Sequence, residues 1–229
     1  MRILRFAAVA AAIGLAACAS TKPSTTAGLS SDMTLAPPSS ADSAASQGLG
    51  GDTLVYKSPT LDIAKYHGFY IPAANVYQGP DADFGELTPQ DQQRLAQELT
   101  RDFAKALGRN RNIVSRPGPG IVTLQLSLAG VSKTRPILSL TRITPVGLGI
   151  TAIKSAEGMP AAFVGAVTVA GKFTDSATGQ LLGGFVTKQS PPAYDLRSSV
   201  GTIETAELAL THTASGLAKV IDGMAGSRR

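Results

Sequence analysis

Few residues of this 229-residue chain have the type and spacing to do chemistry. Asp81, Asp83 and Glu86 place three carboxylates within six positions. Such a group could share protons in a hydrolysis or hold a hard cation. The spacing lacks a Gly-centred loop closed by a bidentate acid, so the expectation is an exposed acidic loop. Asp175 and Thr178 stand just before Gly179, between two strand-like runs. That is turn chemistry, in which Asp accepts from loop amides and Gly takes up positive φ. His67 and His212 are the only imidazoles, and neither has a nucleophile or an acid motif beside it. They are expected on a strand surface and a helix surface. Gly147-Leu148-Gly149-Ile150-Thr151-Ala152 fits a loose G-x-G-x-x-A, but no acid follows about twenty residues on, as a dinucleotide site requires. Gly171-Lys172 precedes Phe173, not Ser or Thr, which excludes a phosphate loop. No G-x-S-x-G, H-E-x-x-H or S-x-x-K occurs. The chain is expected to use no metal and no cofactor, and its sequence discloses no specific catalytic activity.

The single thiol, Cys18, is different. One Cys excludes a disulfide framework and a Cys-based metal cage. What precedes it is a short basic start, Met1-Arg2-Ile3-Leu4-Arg5, and an unbroken apolar run from Phe6 to Ala17. This is the layout of a secretory signal peptide, with an apolar stretch too short to remain as a spanning anchor. The run ends in Leu15-Ala16-Ala17-Cys18, which resembles a bacterial lipobox. The resemblance implies diacylglyceryl transfer to the Cys18 sulfur, cleavage between Ala17 and Cys18, and acylation of the new N-terminus with a chain such as palmitate. Two or more acyl chains make release from a bilayer negligible, at ~0.8 kcal/mol per buried methylene. Ala19, where an Asp would retain a lipoprotein on the inner membrane, implies the outer membrane, with the domain facing the periplasm.

Behind the Cys, Ser, Thr, Ala, Gly and Pro fill 25 of the 34 positions 19–52, with no aromatic residue. That composition reads as a flexible linker, with a mean span on the order of 30 Å and a stretched limit near ~115 Å. The expected organisation is a signal peptide over 1–17, a lipidated Cys and linker over 18–52, and one domain over 53–229. Cleavage also removes Arg2 and Arg5, so the formal charge of +5 falls to +3, nineteen bases against sixteen acids.

The elements follow from periodicity. Residues 66–72 and 75–77 suit a strand interrupted at Pro72. Thr88 is an N-cap, Pro89 the first helical position and Asp91 a first-turn acid. Leu95, Leu99, Phe103 and Ala106/Leu107 recur at helical spacing until Gly108. A short strand over 112–116 and a Pro-Gly-Pro-Gly turn lead to residues 121–131, where Val122, Leu124, Leu126 and Leu128 alternate with Thr123, Gln125 and Ser127. Residues 161–174 and 180–189 form a hairpin. A last helix over about 202–224 sets Ile203, Leu210, Leu217, Ile221 and Met224 along one stripe. The expected fold is α+β, an antiparallel sheet of about five strands with two main helices packed on one face.

Six landmarks carry a family resemblance: Leu54-Val55-Tyr56, Leu87-Thr88-Pro89-Gln90-Asp91, Arg116-Pro117-Gly118-Pro119-Gly120, Pro145-Val146-Gly147, Pro160-Ala161-Ala162-Phe163-Val164-Gly165, and Asp175 with Thr178-Gly179-Gln180-Leu181. In this order the chain resembles an uncharacterised family of proteobacterial lipoproteins known only as a domain of unknown function, over about residues 54–223. It differs in lacking Trp toward the C-terminus. The resemblance implies a class and a compartment without a mechanism.

Between Phe103 and Ala156 there is no acid but there are eight bases: Lys105, Arg109, Arg111, Arg116, Lys133, Arg135, Arg142 and Lys154. Summed like charge attracts anions even on a near-neutral protein. Arg109, Arg111, Arg116, Lys133, Arg135 and Arg142 are therefore the candidate anion- or partner-binding residues. The expected role is a lipid-anchored, non-enzymatic accessory or binding module of the cell envelope that meets a protein, lipid or glycan and no nucleic acid. The alternative is a lipid-anchored periplasmic hydrolase without a linear motif.

Overall fold

The computed structural model describes residues 26–38, 52–132, 166–189 and 202–226. Among these, seven strands form one sheet: β1 (Thr53–Lys57), β2 (Gly68–Tyr70), β3 (Asn75–Val76), β4 (Asn112–Val114), β5 (Ile121–Ser132), β6 (Ala166–Asp175) and β7 (Leu181–Gln189). Their order is β1-β7-β6-β5-β2-β4, with β3 also beside β5. Two helices, α1 (Pro89–Leu107) and α2 (Thr202–Gly226), complete the α+β architecture.

The sheet is mixed and larger than expected. β1–β7, β7–β6 and β6–β5 are antiparallel, whereas β2 and β3 run parallel to β5, and β4 runs parallel to β2. The reason is α1. Placed between β3 and β4, it carries the chain back to the end it left, and a helical crossover of that kind makes parallel neighbours. The count rises to seven because the interrupted strand divides into β2 and β3 and because β1, a five-residue edge strand that the sequence reading did not assign, pairs with β7. β2 and β3 are the interrupted strand that Pro72 predicts. Both pair with β5, and in the gap between them the Ala74 amide donates to the Thr100 hydroxyl at 2.9 Å.

α1 begins as its sequence dictates. The Thr88 hydroxyl oxygen accepts from the Asp91 amide at 3.2 Å, its own proton goes to the Asp91 carboxylate at 2.6 Å, and Pro89 needs no donor at the first position. Leu95, Leu99, Phe103 and Leu107 are buried against the sheet. α2 buries Leu210, Leu217 and Ile221, with small Ala206, Ala209 and Ala214 between them allowing close approach. The two helices run side by side in the same direction: Arg94 meets Glu207 at 2.8 Å, the Thr211 hydroxyl donates to Asp102 at 2.7 Å, and Arg111 meets Asp222 at 3.1 Å.

On β5, Val122, Leu124, Leu126 and Leu128 face the helices and are fully buried, while Thr123, Gln125 and Ser127 are half-buried on the other face, as alternation predicts. Phe185 of β7 lies over Gly171 of β6 and stacks on Phe103, ring centroids 6.4 Å apart and planes 3° from parallel.

Within the span read as one linker, residues 26–38 are folded onto the sheet. This strap crosses the face opposite the helices, where Ala129, Ala170 and Val186 present short side chains. Ala27 and Met33 are buried there, and Ala36 exchanges two backbone hydrogen bonds with Val55 at the β1 edge. A composition argument misses it because three or four apolar residues suffice when the opposing surface is nearly flat.

Candidate functional site

The helix-covered face encloses a cavity of about 80 Å³ near the β1 edge. Val55, Val122, Phe173, Leu182 and Phe185 form its sheet wall, Leu61 and Ile63 close one side, and Leu217, Val220, Ile221 and Met224 of α2 form its roof. Lys57, exposed at the end of β1, is the one charged residue in the lining. Gly183 is part of its lining. A Cβ there would stand 3.0 Å from the Tyr56 carbonyl oxygen and 3.8 Å from Phe173, with nothing else within 4 Å. A cavity with such walls stays dry and takes an apolar guest; about 150 Å³ holds a benzene, so this one holds a single small aliphatic group. Sequence reasoning missed it. The signal was Gly183-Gly184 inside a strand, which marks a bulge or the close approach of another group.

Asp81, Asp83 and Glu86 do not converge on one site. Asp81 accepts from the Tyr77 hydroxyl at 2.6 Å and from the Thr26 amide at 3.2 Å, and this carboxylate raises the Tyr77 phenol above its usual pKa. Asp83 accepts from the Gly85 amide at 3.3 Å. Glu86 lines a separate hollow of about 270 Å³ with Asp91 and Glu204, and Asp91 is engaged in capping α1. Among the described residues no group of three or more His, Cys, Asp or Glu is arranged to hold a metal ion. His67 and His212 are both exposed.

Asp175 has the turn role its position predicts. One oxygen accepts from the Thr178 amide at 2.8 Å, the Ala177 amide at 2.9 Å and the Thr178 hydroxyl at 3.0 Å. The other accepts from the Tyr66 hydroxyl at 3.1 Å. The Thr178 amide and then its hydroxyl hold the Asp175 pKa below the usual carboxylate value, whereas burial, followed by the bond to Asp175, raises the Tyr66 phenol. Gly179 follows at φ +72°.

Of the six candidate basic residues, three lie among the described residues. Arg111 is committed to Asp222 and also donates to the Ile221 carbonyl at 3.4 Å, so it ties the end of α1 to α2. Arg109 and Arg116 are exposed. Lys133, Arg135 and Arg142, the apolar stretch around them and the loose G-x-G-x-x-A lie outside the described residues, as do Ala17 and Cys18. No helix among the described residues is long and apolar enough to cross a membrane.

A family model described as "Protein of unknown function (DUF3313)" matches residues 42–217. No curated protein matches the chain. Two solved structures of the PelC dodecamer from Paraburkholderia phytofirmans, one of them a point variant, are similar at 12% identity and a TM-score of 0.38. Each covers 72% of this chain, and the match spans 96% and 95% of the respective PelC chains. At that score the likeness assigns neither a function nor an assembly.

Proposed function

The chain belongs to the DUF3313 family of proteins of unknown function, and we propose that it is a lipid-anchored, non-enzymatic accessory module of the outer membrane, held by acyl chains on Cys18 and facing the periplasm. The observation that carries the anchor is the placement of the only Cys immediately behind Leu15-Ala16-Ala17, at the end of a signal-type apolar run. The module docks an envelope protein through one aliphatic side chain seated in the cavity between α2 and the β1–β7 edge. What supports this is the chemistry of the walls: apolar throughout, with Lys57 outside as a rim charge. The size favours a side chain over a whole acyl chain, since the space is about half of that needed for a benzene. Anchors of this kind, buried in a pocket and ringed by weaker contacts, carry most of the energy of an interface.

Two experiments test the two halves. Cys18→Ser should abolish incorporation of labelled palmitate and release the protein from membranes; persistent labelling would refute the anchor. A photocrosslinker at Lys57 should capture one recurrent envelope protein, and Gly183→Val, which fills the cavity, should abolish the adduct while far-UV circular dichroism stays unchanged. An adduct indifferent to Gly183→Val, or lipid adducts alone, would refute the protein-docking role of the cavity.

A further inference from the structure

We infer that the strap fixes how the domain stands on the bilayer, holding the corner formed by Tyr77 and Asp81 toward the lipid surface and the apolar cavity away from it. The inference rests on the lipid anchor at Cys18 and adds its geometry. Only seven residues separate Cys18 from Thr26, where the strap begins. Stretched fully, they reach about 28 Å. With the strap detached, the whole of 19–52 would be free to extend to about 115 Å.

The strap is attached at both ends and in between. At its start the Thr26 amide donates to Asp81, whose other oxygen holds the Tyr77 hydroxyl at 2.6 Å, and a Cβ on Gly28 would stand 3.4 Å from the Tyr77 ring. Next, Asp32 pairs with Lys172 of β6, and that ammonium lowers the Asp32 pKa. Met33, 5% exposed, covers Gly184 of β7, where an added Cβ would displace the Met33 thioether. At the far edge Ala36 bonds to Val55 in both directions, at 3.0 and 2.7 Å. The chain thus crosses from the β3 corner to β1, and a pull from the membrane is felt first at Thr26.

The cavity lies at the start of β5 and the corner beside its middle. β3 pairs with Ser127 and Leu128, whereas the cavity is lined by Val122, six residues back, or about 20 Å along the strand. The partner-binding end therefore stands farther from the lipid than the corner that receives the anchor.

The chain contains no Trp, so a single introduced indole reports on one place. Gln78→Trp at the corner and Ala177→Trp at the β6–β7 turn both replace exposed residues. Each acylated full-length protein would be reconstituted into phosphatidylethanolamine/phosphatidylglycerol vesicles carrying a dansyl-headgroup lipid. Energy transfer from position 78 should exceed that from position 177 severalfold. Adding Met33→Asp, which puts a carboxylate where Met33 covers Gly184, should release the strap and bring the transfer from position 78 down to that of position 177. Equal transfer from the two positions in protein whose mass shows acylation overturns the inference alone. A mass without acyl groups on Cys18 overturns the anchor, and the inference with it.

Discussion

Asp175 organises its turn with a single oxygen, accepting two backbone amides and one hydroxyl, while its second oxygen reaches Tyr66 across the sheet edge. Because its folded pKa is lowered, its contribution to stability is present above the ordinary carboxylate range and is lost as the pH falls through the folded value. Asp175→Ala should therefore melt below the wild type at neutral pH, and the gap between the two melting temperatures should narrow as the pH falls below the ordinary carboxylate range. A gap that stays constant with pH would show that the carboxylate charge is not the cause. The Asp-x-x-Thr-Gly pattern made this turn readable, since each residue acts on neighbours two or three positions away. The reach of Tyr66, 109 positions distant, was not readable.

α1 and the β6–β7 hairpin were legible for the same reason: caps, periodicity and turn residues are local. The cap has a measurable share. Thr88→Ala should lower stability by about 1 kcal/mol in urea titrations, and Thr88→Ser should restore most of it. An unchanged midpoint for Thr88→Ala would mean that Pro89 and Asp91 alone hold the start of the helix. Gly108 ends α1 as expected but at φ −63°, in right-handed geometry, so the helix stops there without the left-handed turn that favours Gly. β2, β3 and β4 were legible as strands, but their partners and parallel direction were not. Strands of two or three residues are defined by the partner that satisfies their amides, and β5 and β2 supply those partners from far along the chain.

Across the molecule, Phe103 and Phe185 join α1 to the sheet centre, where Gly171 leaves room for the Phe185 ring. Phe185→Ala should cost about 3–5 kcal/mol in chemical denaturation. The double variant with Phe103→Ala should fall short of the sum of the two single losses, because the rings share one contact. Strict additivity would place the two rings in independent parts of the core. The same level of organisation gives Arg111 an acidic neighbour that the sequence did not show. The sequence shows a base in an acid-free stretch, whereas the fold brings Asp222 to it and makes it a clamp between helices. Half of the proposed basic set, Lys133, Arg135 and Arg142, lies outside the described residues, so the structure adds nothing to their reading.

From its sequence alone, this protein shows an apolar run from Phe6 to Ala17 followed by its only Cys, two amphipathic helices, an alternating central strand and a capped hairpin turn. Each of these depends on residues within a few positions of one another. Strand direction, the strap across the second face, the cavity above Gly183 and the pairing of Arg111 came only with the folded chain. All four join segments that are far apart in sequence, and which surfaces meet depends on where α1 returns the chain and on which side chains are small enough to admit a neighbour.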